Sequence, residues 1–273
     1  MSGASDQVTT GLRTGAAIDA ARADGRSALI AYLPVGFPTV VGSVEAARTV
    51  IDAGADVVEL GLPYSDPGMD GEVIQRATTQ ALAQGTRITD VMHAVEQAAG
   101  RGAAIVVMTY YNPVLRYGVE RFARDLANAG GGGLITPDLI PDEAAEWSAA
   151  ADAHDLDKIF LVAPSSTDAR LAMTAEASRG FVYAASTMGV TGVRASVDNH
   201  AQELVARTRA AGAERVCVGL GVSTAAQAAE VAQYADGVIV GSALVRTLMQ
   251  DDATQALTDL RTLTTALAEG VRR

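Results

Sequence analysis

The chain has 273 residues, a net charge of −11 and 49% apolar side chains, yet no apolar run reaches the ~20 residues a membrane helix needs. With no cluster of Lys or Arg, nucleic acid and anionic membranes are poor partners. A single cysteine, Cys217, excludes an internal disulfide and suits a reducing, cytoplasmic setting.

The first residues, MSGASDQVTTGLRTG, lack a basic start and an apolar core, so no signal peptide is expected. Residues 12–24 read as a helix. Eight short apolar runs follow, each ending in small or turn residues: 27–36, 56–63, 103–113, 133–141, 158–166, 180–187, 215–223 and 236–244. Amphipathic stretches such as VGSVEAARTVIDAGA, DEAAEWSAAADAH, TDARLAMTAEA and TAAQAAEVAQYA lie between them, and residues 87–100 add a further helix after the second run. Continuous apolar strands alternating with helices indicate a parallel sheet covered on its faces. Eight units without a linker favour a single α/β domain over 1–273, a (β/α)8 barrel with an extra N-terminal helix, over a doubly wound open sheet. In such barrels the chemistry sits just beyond the C-terminal ends of the strands.

The second run, VVELGLP, places Glu59 among Val57, Val58, Leu60 and Leu62. Either face of that strand is dry, so an ionised carboxylate there is costly without a partner. An ion pair with a neighbouring arginine is the ordinary solution, but the strands carry few candidates. A raised pKa suited to acid–base work is the better reading. Asp70 follows in a glycine-bracketed turn, where local turn hydrogen bonding competes with a functional role.

The last two runs end in VGLGVST and VIVGSALV. Gly219, Gly221, Gly241 and Ser242 can bring backbone N–H groups close to an anion, and loops after strands seven and eight commonly hold phosphate in these barrels. After the sixth run, STMGVTG carries Thr191 between Gly189 and Gly192, as in a loop that closes over a ligand. A phosphorylated ligand beside acid–base residues suggests isomerisation or carbon–carbon cleavage. Lys158, the sole lysine, precedes the fifth strand and reads as a solvated charge, so no Schiff base is expected. His93, His154 and His200 are far apart and show no metal-ligand spacing. Any cleavage then needs an electron sink within the substrate.

The segments VVELGLPYSDPGMDG, LITPDLIPDEAAEW, FLVAPSST, FVYAASTMGVTG and ADGVIVGSALV together resemble the tryptophan synthase alpha subunit, in its actinobacterial form. The resemblance implies a lyase that splits indole-3-glycerol phosphate into indole and glyceraldehyde 3-phosphate. It implies Glu59 as general acid/base and Asp70 as the group holding the indole N–H. It further implies Tyr183 near the reacting side chain, and Gly192, Gly221, Gly241 and Ser242 around the phosphate. Tyr32, Tyr110 and Leu220 would line the indole pocket, and Thr191 would close over Asp70. No cofactor is expected in this chain; the family pairs in an α2β2 complex with a beta subunit that carries pyridoxal phosphate. Glu72 stands where the family usually has proline after the DG of the second loop, and acids suit a helix N-terminus. A free indole-releasing lyase, a non-catalytic activating subunit and a phosphosugar isomerase are the rival readings. Asp138, Asn112 and Pro113 lie where a partner could dock but serve equally as loop residues.

Overall fold

The computed structural model describes residues 12–185, 199–219 and 221–272. Helix α1 (Thr14–Ala23) comes first, followed by β1 (Ala28–Pro34), α2 (Val40–Asp52) and β2 (Val57–Gly61). Two helices, α3 (Glu72–Ala83) and α4 (Ile88–Ala98), precede β3 (Ala104–Met108). Then come α5 (Tyr111–Tyr117), α6 (Val119–Asn128), β4 (Gly133–Ile135) and, after a 3-10 turn at Pro141–Glu143, α7 (Ala145–Ala153). The fifth run is divided into β5 (Asp157–Ile159) and β6 (Leu161–Val162), ahead of α8 (Asp168–Ala177), β7 (Val182–Ala185) and α9 (Asn199–Ala210). The chain ends through β8 (Val216–Gly219), α10 (Ala225–Ala232), β9 (Gly237–Val240), α11 (Ser242–Thr247) and α12 (Ala253–Gly270).

All pairings are parallel, in the order β5-β4-β3-β2-β1-β9-β8-β7-β6. The two ends of that order are consecutive in the chain, separated only by Phe160, whose carbonyl accepts the Tyr183 N–H (3.0 Å). The sheet therefore closes into a barrel of eight staves, one of them broken at Phe160. Alternation along each strand sorts the side chains. Ile30, Val57, Val106, Ile135, Ile159, Cys217 and Ile239 fill the interior, while Leu29, Leu33, Val58, Leu60, Ile105, Val107 and Val218 pack under the helices. Helix α1 turns Ala17, Ile18 and Ala21 onto the interior set and plugs the bottom of the barrel.

Helix starts follow local chemistry. Thr39, Thr167, Thr224 and Asp252 each accept a backbone N–H from the first turn of α2, α8, α10 and α12. Glu72 is the first residue of α3, behind Gly71 as cap, where its charge complements the exposed N–H groups. Two expectations are corrected. The third strand stops at Met108; Thr109 and the cap residue Tyr110 lead into α5, which takes up the end of the run with Pro113 tolerated in its first turn. Lys158 lies within β5 and is not a solvated charge: its side chain is 15% exposed and Nζ binds both Asp152 oxygens at 2.8 and 3.0 Å. Among the described residues no helix is long and apolar enough to cross a membrane.

Candidate active site

Period-two alternation puts Glu59 on the same side of β2 as Val57, pointing into the barrel near its C-terminal end. Its main-chain neighbours in register are Tyr32 on β1 and Val106 on β3. The side chain is fully buried, and neither carboxyl oxygen has a hydrogen-bond partner among the described residues. Burial with nothing to compensate it lifts the Glu59 pKa to about 8. Among the described residues no arginine pairs with Glu59, as it would if Glu59 were a structural acid.

Above it opens a cleft of ≈ 710 Å³, counting its mouth. Glu59, Asp70, Tyr32, Tyr183, Gly221, Gly241 and Ser242 all line it, from six different strand ends and loops. Asp70 reaches it from the loop after β2; its pKa is raised to about 6, again by desolvation. Burial first, and the two acids next, push the phenols of Tyr32 and Tyr183 well above the ordinary tyrosine range, so both stay protonated.

The two phenols have matching seats. A Cβ on Gly61 would run into the Tyr32 ring and hydroxyl, and one on Gly219 into those of Tyr183. Each tyrosine leans across to a glycine at the end of the next strand, and the missing side chain there is what gives the ring room. Gly241 caps α11, with Ser242 as its first residue, and Gly221 has φ +80°, a conformation that favours glycine.

Three expected residues, Thr191, Gly192 and Leu220, lie outside the described residues, as does Gly189. Tyr110 stands apart from the rest. It does not line the cleft; its hydroxyl accepts the Met69 N–H at 2.8 Å and its ring stacks on Tyr64 with centroids 5.1 Å apart. Its strand ends two residues earlier, so the ring swings toward the loop instead of continuing the inward row. Asp138 accepts the Tyr111 N–H at 2.9 Å and so caps α5. His93 and His154 are on α4 and at the end of α7, and His200 on α9, none in the cleft. Gly219 lines the cleft as well, and sequence reasoning missed Met69, Ile74, Met108, Leu161, Ala185 and Ile239, which complete the lining. Parity from Val106 and Gly237 along their strands signals Met108 and Ile239; Met69 and Ile74 carry no such sign.

A dry barrel mouth with one carboxyl poised near pH 8, another near 6, and two protonated phenols is built to move protons on a largely apolar molecule. The class is an acid–base enzyme on a (β/α)8 barrel. Residues 18–272 match the family model for the tryptophan synthase alpha chain. The tryptophan synthase alpha chain of Mycobacterium marinum is 60% identical over 261 residues, covering 96% of this chain and 95% of that protein. That of Mycobacterium tuberculosis is 61% identical over 260 residues, with 95% and 94% covered. The solved structure of M. tuberculosis tryptophan synthase superposes with a TM-score of 0.91 at 60% identity, over 96% of this chain and 99% of that one. The alpha subunit from Legionella pneumophila gives 0.86 at 30% identity, over 95% and 98%. The chain belongs to the tryptophan synthase alpha chain family, the carbon–carbon lyases that cleave indole-3-glycerol phosphate in tryptophan biosynthesis.

Proposed function

We propose that Glu59 moves the protons of this cleavage and that Asp70 holds the indole ring while it does so. Near neutral pH the two carboxyls sit in opposite states, because burial has raised one to about 8 and the other only to about 6. Protonated Glu59 gives its proton to indole C3, and the ring nitrogen's proton leaves toward the Asp70 carboxylate. The resulting indolenine is the electron sink. Glu59, now ionised, takes the proton from the hydroxyl on the carbon attached to C3. The C3–carbon bond breaks, its electrons return through the ring to the nitrogen, which recovers its proton, and the carbon leaves as the aldehyde of glyceraldehyde 3-phosphate. Glu59 ends protonated, ready for another turn.

The remaining roles are those the resemblance implies, and Tyr32, Tyr183, Gly221, Gly241 and Ser242 all line the cleft. Tyr183 lies beside the reacting side chain, and Tyr32 forms part of the indole wall. Gly221, Gly241 and Ser242 offer backbone N–H groups to the phosphate, with Gly192 joining them; Thr191 and Leu220 take the loop-closing and indole-lining roles that the resemblance implies. The chain works as a single domain in the cytoplasm, paired in an α2β2 complex with a beta subunit that carries the pyridoxal phosphate and consumes the indole. No cofactor of its own is required by this scheme.

The observation that carries the reading is the Glu59 carboxyl, buried at the floor of the cleft with no partner among the described residues. Its test is indole release from indole-3-glycerol phosphate by the purified chain, alone and with a tryptophan synthase beta subunit, beside Glu59→Gln. Slow turnover that rises with the beta subunit and vanishes in the variant is expected. Fast turnover without any partner points to a free lyase, and none in either condition to an activating subunit.

A further inference from the structure

The loop that carries Asp70 leaves the barrel where the β2–β3 ladder runs out, at the Leu62 N–H on the Met108 carbonyl. A carboxylate on such a loop holds its aim only if something fixes the backbone on both sides of it. Two side chains do this. The Tyr110 hydroxyl accepts the Met69 N–H at 2.8 Å, one residue before Asp70, and Gln75 Nε2 donates to the Asp70 carbonyl at 2.7 Å.

Both holders are themselves anchored. Gln75 sits in the first turn of α3, with its N–H on the Gly71 carbonyl. Tyr110 is the cap residue of α5, and Asp138 ties down the start of that helix through the Tyr111 N–H. The Tyr110 ring lies against Tyr64 at an interplanar angle of 28°, and Asn112 Nδ2 donates to the Tyr64 hydroxyl at 3.4 Å. Rigid elements on either side thus grip one short stretch of loop.

We infer that Tyr110 and Gln75 are positioning residues that clamp the backbone around Asp70 and so set where its carboxylate meets the substrate. The inference rests on the assignment of Asp70 above. Positioning of this kind is worth much in rate, since a displacement of about 1 Å can cost on the order of 100-fold. Tyr110 is not among the residues lining the cleft; its hydroxyl meets that lining at the Met69 N–H, so its removal acts through the Met69–Asp70 backbone.

The experiment compares Tyr110→Phe, Gln75→Leu, Asp70→Asn and Tyr110→Phe/Asp70→Asn, each assayed for indole-3-glycerol phosphate cleavage with the beta subunit in excess. Thermal midpoints accompany each variant. Tyr110→Phe keeps the ring stack and removes only the acceptor, so the fold is expected to persist. The expected result is a fall in kcat of about tenfold in each clamp variant, with a smaller change in KM. In the Asp70→Asn background, Tyr110→Phe is expected to cost nothing more.

The pH profile gives an independent reading. Burial raises the Asp70 pKa to about 6, so the acid limb of kcat/KM lies there; a loosened loop lets water reach the carboxylate, and the limb moves to lower pH. A structural role alone would leave it in place. Wild-type rates in both clamp variants, or an equal loss from Tyr110→Phe with and without Asp70, overturn the clamp. Full activity in Asp70→Asn overturns the Asp70 assignment instead, and the two failures are distinct.

Discussion

The barrel has acids at both ends, and the two ends treat them in opposite ways. At the bottom, Asp56 and Asp236 immediately precede β2 and β9. Asp56 accepts the Leu29 N–H at 2.8 Å and both ends of the Arg26 guanidinium at 2.7 and 2.8 Å. Asp236 repeats the arrangement one stave pair away, with the Val216 N–H at 2.8 Å and Arg209 at 2.9 Å. Asp157, at the start of β5, takes the Thr14 N–H and hydroxyl at 3.0 and 2.6 Å, and so fastens the plug helix to the barrel. At the top, Glu59 has neither a cation nor a donor among the described residues. Carboxylates at strand starts hold the barrel together; the one at a strand end has no partner among the described residues and lies on the face where this fold carries its active sites.

The sharpest way to break that contrast is Glu59→Gln, which keeps the shape and removes the titrating group. Turnover is expected to fall by about 10³-fold or more, while the fold grows more stable at high pH. The sign follows from the raised pKa. The native state holds this proton up to about pH 8 and an unfolded glutamate releases it near 4.5, so wild-type stability declines as pH climbs between those values. Denaturant titrations at pH 5 and pH 8.5 are expected to show the wild type losing a few kcal/mol, roughly, that the variant keeps. A wild-type stability that stays level against the variant across this window would mean that Glu59 has a partner after all.

The opposite behaviour is expected at the bottom. Asp56→Ala leaves Arg26, whose side chain is only 14% exposed, with the looser, exposed Asp24 at 3.7 Å as its remaining carboxylate. Breaking such a pair from one side costs about 3 kcal/mol, visible as a lower urea midpoint. The kcat of the folded fraction is expected to stay at the wild-type value, because nothing at this end faces the cleft. A change in kcat with no change in stability would dissolve the distinction between the two faces.

Gly61→Ala probes the top without touching a charge. Its Cβ would meet the Tyr32 ring and hydroxyl, and the ring's way out is into the cleft. KM for indole-3-glycerol phosphate is expected to rise about tenfold, with stability lowered by about 1–3 kcal/mol from overpacking. Adding Tyr32→Leu is expected to restore part of the stability; strictly additive losses in the double variant would show that the two positions do not share the space.

Most of the barrel was open to a reader of the sequence, because buried parallel strands show as unbroken apolar runs. What failed lay at their ends. Residues 109–113, Thr-Tyr-Tyr-Asn-Pro, open with three residues of high strand propensity beyond Met108, so residue type alone could not show that the strand stops and α5 begins. Tyr110 is affected in the same way: on a continued strand it would share the inward face with Met108, but as the cap of α5 its hydroxyl meets the Asp70 loop at the Met69 N–H. The burial of Glu59 without a partner among the described residues was legible, since it is an acid inside an apolar run with few arginines nearby. The bottom acids were not, although ADVVEL and ADGVIV share the pattern that places Asp56 and Asp236. Their partners, Arg26 and Arg209, are brought near only by closure of the barrel.

Those two acids also allow the smallest test. Asp56 and Asp236 accept equivalent strand N–H groups, so they differ chiefly in their cations: Arg26 is 14% exposed and holds Asp56 with two nitrogens, whereas Arg209 is 41% exposed and reaches Asp236 with one. Water reaches the Arg209 end of the second pair, although Asp236 itself is buried. Arg209→Met is therefore expected to cost only about 0.5 kcal/mol, since Asp236 keeps the Val216 N–H and the Arg22 guanidinium 3.7 Å away. Arg26→Met is expected to cost several times more, because it leaves Asp56 half-buried with only the Leu29 N–H. Urea titrations of the two variants at low and at 0.5 M salt decide the matter. The Arg209 effect is expected to fade with salt and the Arg26 effect to persist. Equal losses would mean that the shared backbone hydrogen bond, and not the depth of the ion pair, sets the strength of the barrel floor.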